Sequence, residues 1–393
     1  MKLTQGQKQF LEEVEKGTNI FLTGKAGTGK SFVLDLIKKD AVKLGSTGVS
    51  ALNIGGATLH SYFWIPIKYR DVVRHDDCYY FRGEKAEQVD ASASIIIIDE
   101  SSMIRADVMQ AVENTLNRNK NRLNNFNSLK NRQIIFVGDM GQLPPVVSTE
   151  QEKEALAYTY GGFNFQDSQI YKDLNVKTIE LTEIVRQSDL DFIDALNKLR
   201  DGQIDIYWKS LYSKELNEGI TIAPTRKLVD KYNKVGLSEL DGEEVTYYNN
   251  EDGTLRLSNF HLPTSITLKD GAKIIYKFNS KSFPLVNGTL GTFILKDGNP
   301  FIETETGTYP IEYESFKDSV MHSDGMIEVL GSVSFFPVEV AYAITIHKSQ
   351  GLTFDKVNVD LSYGYFGGTR MLYVAFSRCR TPGGLNIIRQ KLV

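Results

Sequence analysis

Gly24, Gly27, Thr28, Gly29, Lys30 and Ser31 fall in TGKAGTGKS, residues 23–31, which contains the spacing GxxxxGKS. Residues of these types at this spacing do phosphate chemistry. Glycines let backbone amides approach phosphate oxygens, Lys30 supplies a mobile positive charge, and Ser31 offers its hydroxyl to magnesium. A helix opening at the loop would turn its positive end toward the anion. Asp99 and Glu100 close the run IIIIDE. A strand-end aspartate can hold hydrated magnesium, and an adjacent glutamate can polarise an attacking water. GDMGQLPP, residues 138–145, adds the amide of Gln142 for a terminal phosphate or its water, with Asp139 as the anchor of that loop. Arg186 and Arg378 are candidates to grip transferring phosphate oxygens. For them the physical requirement is convergence across a cleft, and spacing alone leaves their roles open.

These groups need elements to carry them. Residues 4–16 have Phe10, Leu11 and Val14 at helical spacing, which predicts a helix. Thr18 to Leu22 predicts a buried strand, followed by the glycine-rich loop and a helix over SFVLDLIKKD. Strand, loop, helix is the order a phosphate loop requires. Further strands are expected near Ala41–Leu44, within 91–100 and within 131–139. Continuous apolar runs fit parallel strands covered on both faces, and ligands of such sheets sit beyond the carboxyl ends of the strands. The loop, the acid pair and Asp139 all fall at such ends.

The chain has 393 residues, 41% of them hydrophobic, enough for two or more cored domains. A net charge of -4 argues against indiscriminate polyanion binding but leaves room for a locally basic groove. Cys78 and Cys379 are too few for a disulfide framework and too far apart in sequence to suggest zinc. No signal-like or membrane-spanning run appears, so the expectation is a soluble intracellular protein, cytoplasmic or nucleoid-associated, with nucleus and organelles left open. Residues 62–90 read as an aromatic, charged insertion, and 117–131 as an exposed basic connection. Phe192, Ala195, Leu196 and Leu199 form a helical stripe, and ITIAPTR predicts a strand and turn. Residues 243–336 read as strand-rich, punctuated by turn dipeptides such as Asp252–Gly253 and Asp297–Gly298. α/β signals return in PVEVAYAITIH, RMLYVAFSR and GGLNIIR.

With these motifs in place, the chain resembles the superfamily 1 helicases of the 5′-to-3′ branch, nearest the Pif-type and phage Dda-like groups, over nearly its whole length. LTQGQKQF matches the family's amino-terminal Q motif, which implies an adenine-reading role for Gln7. GKAGTGKS and IIDES match the nucleotide and magnesium motifs, and GDMGQLPPV makes Gln142 the phosphate-sensing glutamine. The resemblance places Arg186, in LTEIVRQ, as a nucleotide-contacting arginine and Arg378, in YVAFSR, as an arginine finger. ITIHKSQGLTFDKV, residues 344–357, matches the motif linking nucleotide state to DNA contact, with Gly351 beside the nucleotide and His347 and Ser349 toward DNA. GSTGVSALNIGGATLHS, residues 45–61, resembles the first DNA-contact region and nominates Thr47, Thr58 and His60. It departs from the common form at Gly45, usually alanine, and at Ser46, often proline. APTR nominates Thr225.

The family implies two RecA-like motor domains. Residues 1–175 would form the first, with a pin or wedge in 62–90, where Phe63, Trp64 and Tyr69 would either stack against a base or simply pack the insertion, the choice of residue being open. Residues 176–284 and 336–393 would form the second, and 285–335 a small SH3-like β insertion announced by KFN and LVNGTLG. ATP and Mg2+ are the implied cofactors. Single-stranded DNA and forked or tailed duplexes are the implied partners, with RNA left open because backbone tracking does not settle sugar identity. The expected activity is ATP-driven 5′-to-3′ translocation with duplex unwinding. Two other readings use the same residues: a DNA-stimulated ATPase that remodels nucleoprotein complexes, and an ATP-gated nucleic-acid-binding module.

Overall fold

The computed structural model describes residues 3–388 except 26, 38–39, 48–49, 52–53, 67–70, 79–88, 90–93, 120–127, 184–188, 214, 217, 254–255, 258–261, 279, 281, 286–287, 322–326 and 363–367. The chain forms two compact units. One comprises Met1–Glu215, Gln350–Lys356 and Ser362–Val393; the other comprises Leu216–Ser349 and Val357–Leu361.

The first unit is built on six strands: β1 (Ile20–Gly24), β2 (Ala41–Gly45), β3 (Ala57–Thr58), β4 (Ile95–Asp99), β5 (Gln133–Val137) and β6 (Lys177–Leu181). They pair in the order β3-β2-β4-β5-β1-β6, and every pairing is parallel. The continuous apolar runs of β4 and β5 are explained by what covers them. Ile96, Ile98, Ile134 and Phe136 face a core that includes Met109, Val112 and Leu116 of the helix Ala106–Arg118. Ile95, Ile97, Ile135 and Val137 face the opposite core, with Phe10 and Val14 of the helix Gln5–Glu15 and Val33 of the helix Lys30–Leu34. A strand covered on both faces has no side left to be polar. Truncating Phe136, which is fully buried, to alanine would cost roughly 3–5 kcal/mol. The helix after the glycine loop is shorter than SFVLDLIKKD predicts, ending at Leu34 with Asp35 as its cap.

The same unit holds the helices Leu190–Arg200 and Thr369–Phe376. It also holds a short parallel pair between Tyr212–Ser213 and Leu385–Ile388.

In the second unit, Ile220–Ala223 pairs in parallel with both Ala343–Thr345 and Val357–Asp360. A five-stranded antiparallel sheet runs Gly307–Pro310, Asn299–Thr304, Leu290–Lys296, Lys273–Tyr276, Val338–Val340 in spatial order. Tyr247 stacks flat on Phe336 over its core, ring centroids 3.8 Å apart. Glu314–Met321 and Ile327–Phe335 form a long antiparallel ribbon with a register shift at Asp318–Ser319. This is the strand-rich region expected: Asp297–Gly298 makes the turn between two of its strands, whereas Asp252–Gly253, expected as a turn, lies within the strand Asn250–Gly253 and pairs with Gly331–Ser332.

Candidate active site

β1 runs straight into the glycine loop. Gly24, Gly27 and Gly29 have φ of 151°, 82° and 81°, a region that side chains disfavour. Gly24 is required twice over, because a Cβ there would lie 2.6 Å from the Leu181 carbonyl oxygen of β6. Lys30 folds back on the loop, its Nζ donating to the carbonyls of Gly24 (2.6 Å) and Lys25 (3.1 Å). Thr28, buried, donates its hydroxyl to the Lys25 carbonyl. Ser31 stands exposed in the first helical turn. Gln7 is buried and its amide is engaged at both ends: Oε1 accepts from Thr4 N–H in a capping box, and Nε2 donates to the Thr28 carbonyl at 3.4 Å. It therefore ties the first helix to the phosphate loop.

Asp99 ends β4 beside the loop, and Glu100 follows with φ 50° and ψ 39°, a left-handed conformation unusual for its type. Burial, reinforced by the Glu100 charge, pushes the Asp99 carboxyl up to about 7, with Lys30 pulling the other way. Burial pushes the Lys30 ammonium down, opposed by Asp139, Glu100 and Asp99. Two crowded carboxylates beside a buried ammonium form a site that gains from a cation on the acid side and an anion on the lysine side. Gln350 Nε2 stands 3.5 Å from Glu100 Oε2.

The third element is organised around Asp139, which is fully buried. Its Oδ1 accepts from Gly141 N–H (2.9 Å) and from Arg200 Nε (3.0 Å), and its Oδ2 accepts from the Tyr373 hydroxyl (2.8 Å). One carboxylate thus pins its own loop, the end of the helix Leu190–Arg200 and the helix Thr369–Phe376. Gly141 belongs to the same arrangement: a Cβ there would meet Arg200 Cγ at 2.5 Å. The next residue, Gln142, is 6% exposed, and its Oε1 is buried without a hydrogen-bond partner. A buried amide oxygen left unmatched costs free energy unless a ligand or water satisfies it.

Arg378 is buried and turned onto its surroundings. Nε donates to the Val374 carbonyl (2.9 Å), Nη1 to the Leu352 carbonyl (3.2 Å) and Nη2 to Ser377 Oγ (2.9 Å). Gly351 has φ 81°. Arg186 lies outside the described residues.

The residues nominated for DNA hold local roles here. Thr47 and Ser50 cap one another reciprocally, each hydroxyl accepting from the other's N–H. The turn leaves no room at Gly45, where a Cβ would lie 2.2 Å from Ala51 N. Thr58 caps the helix Leu59–Phe63, and Thr225 caps the helix Arg226–Ser238. Ser349 donates its hydroxyl to the Ile346 carbonyl at 2.7 Å. Burial pushes His60 and His347 below the usual imidazole range; Asp107 opposes this at His60. Thr225, His347 and Ser349 belong to the second unit, and the other three to the first. Of the aromatics nominated in the insertion, Phe63 is fully buried, Trp64 is 39% exposed, and Tyr69 lies outside the described residues.

Two residues that the sequence does not single out complete the site: Arg200, which lies in no motif, and Tyr373, which opens the YVAFSR motif quoted for Arg378. Arg200 reads locally as a last-turn arginine complementing its helix terminus, and Tyr373 as one more apolar position of a helix. Only the three-dimensional convergence on Asp139 gives them a role.

Residues 2–209 match the family model described as PIF1-like helicase, and residues 340–382 match that of the UvrD-like helicase C-terminal domain. A protein of Campylobacter jejuni, named ATP-dependent DNA helicase Pif1, is 30% identical over 430 residues, covering 98% of this chain and 91% of its own. A Bacteroides Pif1 bound to single-stranded DNA matches with a TM-score of 0.84 at 31% identity, covering 98% of this chain and 92% of that one. The Bacteroides Pif1 in complex with ADP-AlF3 and single-stranded DNA matches with a TM-score of 0.85 at 32% identity and the same coverage.

Proposed function

We infer the reaction from one premise: this chain belongs to the PIF1-like helicase family. It is an ATP-dependent DNA helicase that translocates 5′ to 3′ on single-stranded DNA and unwinds duplex. The observation that carries the chemistry is the meeting of Lys30, Asp99, Glu100 and the Asp139–Gln142 loop at the carboxyl ends of adjacent parallel strands.

In this reading Lys30 exchanges its two loop carbonyls for phosphate oxygens. The glycine loop fits that group, since its close packing already excludes side chains from the approach at Gly24. Gln142 Oε1, which has no partner of its own, orients the water at the terminal phosphate. Glu100 polarises that water, held by a backbone conformation that costs about 1–2 kcal/mol to maintain. Asp99 and Ser31 would hold magnesium, which when bound neutralises phosphate charge as the bond to the leaving group lengthens. Gln7 ties the first helix to the loop and, in this reading, would have to exchange its present Thr4 and Thr28 contacts to read adenine with its amide. Arg378 and Arg186 supply guanidinium charge to the transferring phosphate, Arg378 by leaving the carbonyls it now binds. Gly351, with its left-handed backbone, lies beside the nucleotide.

For the finer architecture the proposal is a RecA-like motor over 1–175 bearing a pin or wedge in 62–90, a second motor over 176–284 and 336–393, and an SH3-like insertion over 285–335. The all-parallel sheet of the first unit and the antiparallel sheet of the second support it. DNA contacts are assigned to Thr47, Thr58, His60, Thr225, His347 and Ser349, mostly to the backbone, because a motor must pass any sequence. Forked or tailed duplex is the working substrate, and an intracellular location is proposed with it. Strand displacement from substrates carrying a 5′ or a 3′ single-stranded tail tests the polarity. Unwinding confined to the 3′-tailed substrate would overturn it.

A further inference from the structure

Glu100 is the group assigned to polarise the attacking water, and a carboxylate does that only when it is aimed. Its backbone is set by a left-handed turn at φ 50°. That fixes where the side chain starts, not where its oxygens point, because the side-chain torsions follow. Among the described residues, one side chain makes a hydrogen bond to this carboxylate: Gln350, whose Nε2 stands 3.5 Å from Glu100 Oε2. The separation is at the long end for a hydrogen bond, as catalytic contacts often are before the substrate tightens them.

Gln350 comes from 250 positions along the chain. It directly follows the helix Ile346–Ser349, and Gly351 after it turns the chain at φ 81°. The motif around it nominates His347, Ser349 and Gly351 for other contacts and leaves this glutamine without a role. Packing does not account for it. Gln350 is 4% exposed, and its Oε1 is buried without a hydrogen-bond partner. An amide oxygen in that state costs free energy, and a leucine would fill similar space with no polar atom to satisfy. The amide is therefore kept for what its nitrogen does, since only that end can donate to a carboxylate. A neutral donor also suits the task better than a cation. Lysine or arginine beside Glu100 would make it a weaker base, whereas an amide orients it and leaves its charge uncompensated.

We propose that Gln350 is a positioning residue for ATP hydrolysis: its amide nitrogen holds the Glu100 carboxylate in the orientation from which it polarises the attacking water. The proposal rests on the helicase reading and deepens it. The water oxygen forms the new bond to phosphorus and its proton moves toward Glu100, while Gln350 exchanges no proton and forms no covalent bond.

The test is ATP turnover by the full chain at saturating oligothymidylate, for Q350L, E100Q and the double variant. Q350L should lower kcat about 10- to 100-fold with KM for ATP little changed. Its thermal midpoint should hold or rise, because an unmatched polar atom leaves the interior. In the E100Q background Q350L should cost nothing further, since no carboxylate remains to be aimed. If Q350L misfolds, Q350E, which keeps the length of the side chain and loses the donor, is read in its place. Unchanged kcat, a loss confined to KM, a loss matched by a fall in the thermal midpoint, or the same fold-loss in both backgrounds would overturn the proposal and leave the helicase reading intact. An unaltered chain that hydrolyses no ATP in the presence of single strands would overturn both.

Discussion

Adding one methyl group at Gly141 should unlatch the loop that carries Gln142. In Gly141→Ala the new Cβ would stand 2.5 Å from Arg200 Cγ and 2.7 Å from Nε, both far inside contact distance. The arginine side chain can move aside, but only by giving up Asp139, which it now meets at 3.0 Å. Asp139 has no exposed surface and Arg200 keeps 16% of its side chain exposed, so the lost bond is a charge-assisted one in a mostly dry place. Its loss costs about 1.5–3 kcal/mol. Arg200→Ala removes the same bond by another route. Urea unfolding of the two single variants and the double variant forms a cycle, in which the double should be little worse than the poorer single, with a coupling of about 2 kcal/mol. ATP turnover should follow, because Gln142 is the next residue. A loop displaced by the width of a methyl group lowers kcat by roughly 10- to 100-fold. Additive losses, or full turnover in Gly141→Ala, would show that Asp139, Gly141 and Arg200 do not act as one latch.

Other outcomes follow from the same structure. Lys30→Ala should nearly abolish ATP turnover, whereas Glu100→Gln should keep nucleotide affinity and lose hydrolysis; equilibrium binding beside steady-state rates separates the two, and retained turnover in both would reject the assigned roles. Glu100→Gly should hold or raise the thermal midpoint while stopping hydrolysis, since relief of about 1–2 kcal/mol of left-handed strain outweighs a glycine cost of about 0.5–1 kcal/mol; a clear fall in the midpoint would contradict the strain. Tyr373→Phe should lower kcat while leaving the fold, because the ring stays buried and one acceptor of Asp139 loses its donor; unchanged turnover would remove Tyr373 from the latch. His60 is held below the usual imidazole range by burial, so an unfolded chain takes up its proton first as pH falls. Its contribution to stability is complete above about 6.5 and fades as pH drops toward the folded value, and His60→Gln should flatten that limb of the stability curve.

Much of the first sheet was legible because its strands are covered on both faces. The apolar runs of IIIID and QIIFV could hardly be anything but buried; the first ends in Asp99, and the second is followed two residues later by Asp139. The glycine loop was legible for a local reason too, since φ and close approach are fixed by neighbours in sequence. The capping box at Thr4 and Gln7 also had a local signature, T-x-x-Q, but it was hidden behind the adenine-reading role that the motif suggested. The hydroxyls of Thr47, Thr58 and Thr225 carry the same double meaning. A threonine before a helix caps it whether or not DNA arrives. What sequence could not give was the convergence on Asp139. Arg200 lies 61 positions away and Tyr373 lies 234 away, and neither has a local pattern that points to a carboxylate. Likewise, nothing in HSYFW distinguishes the buried Phe63 from the exposed Trp64. That choice is made by where the helix ends.

The tyrosine that holds Asp139 is translated long after the loop it steadies. A ribosome that has made 300 residues has already released the glycine loop, both strand-end acids and Gln142, yet the phenol of Tyr373 does not exist. Until it does, a buried carboxylate lacks one of its donors, and the Asp139–Gln142 loop is held by Arg200 without the tyrosine. The order of synthesis therefore delays the full set of donors to Asp139 until almost the whole chain has been made.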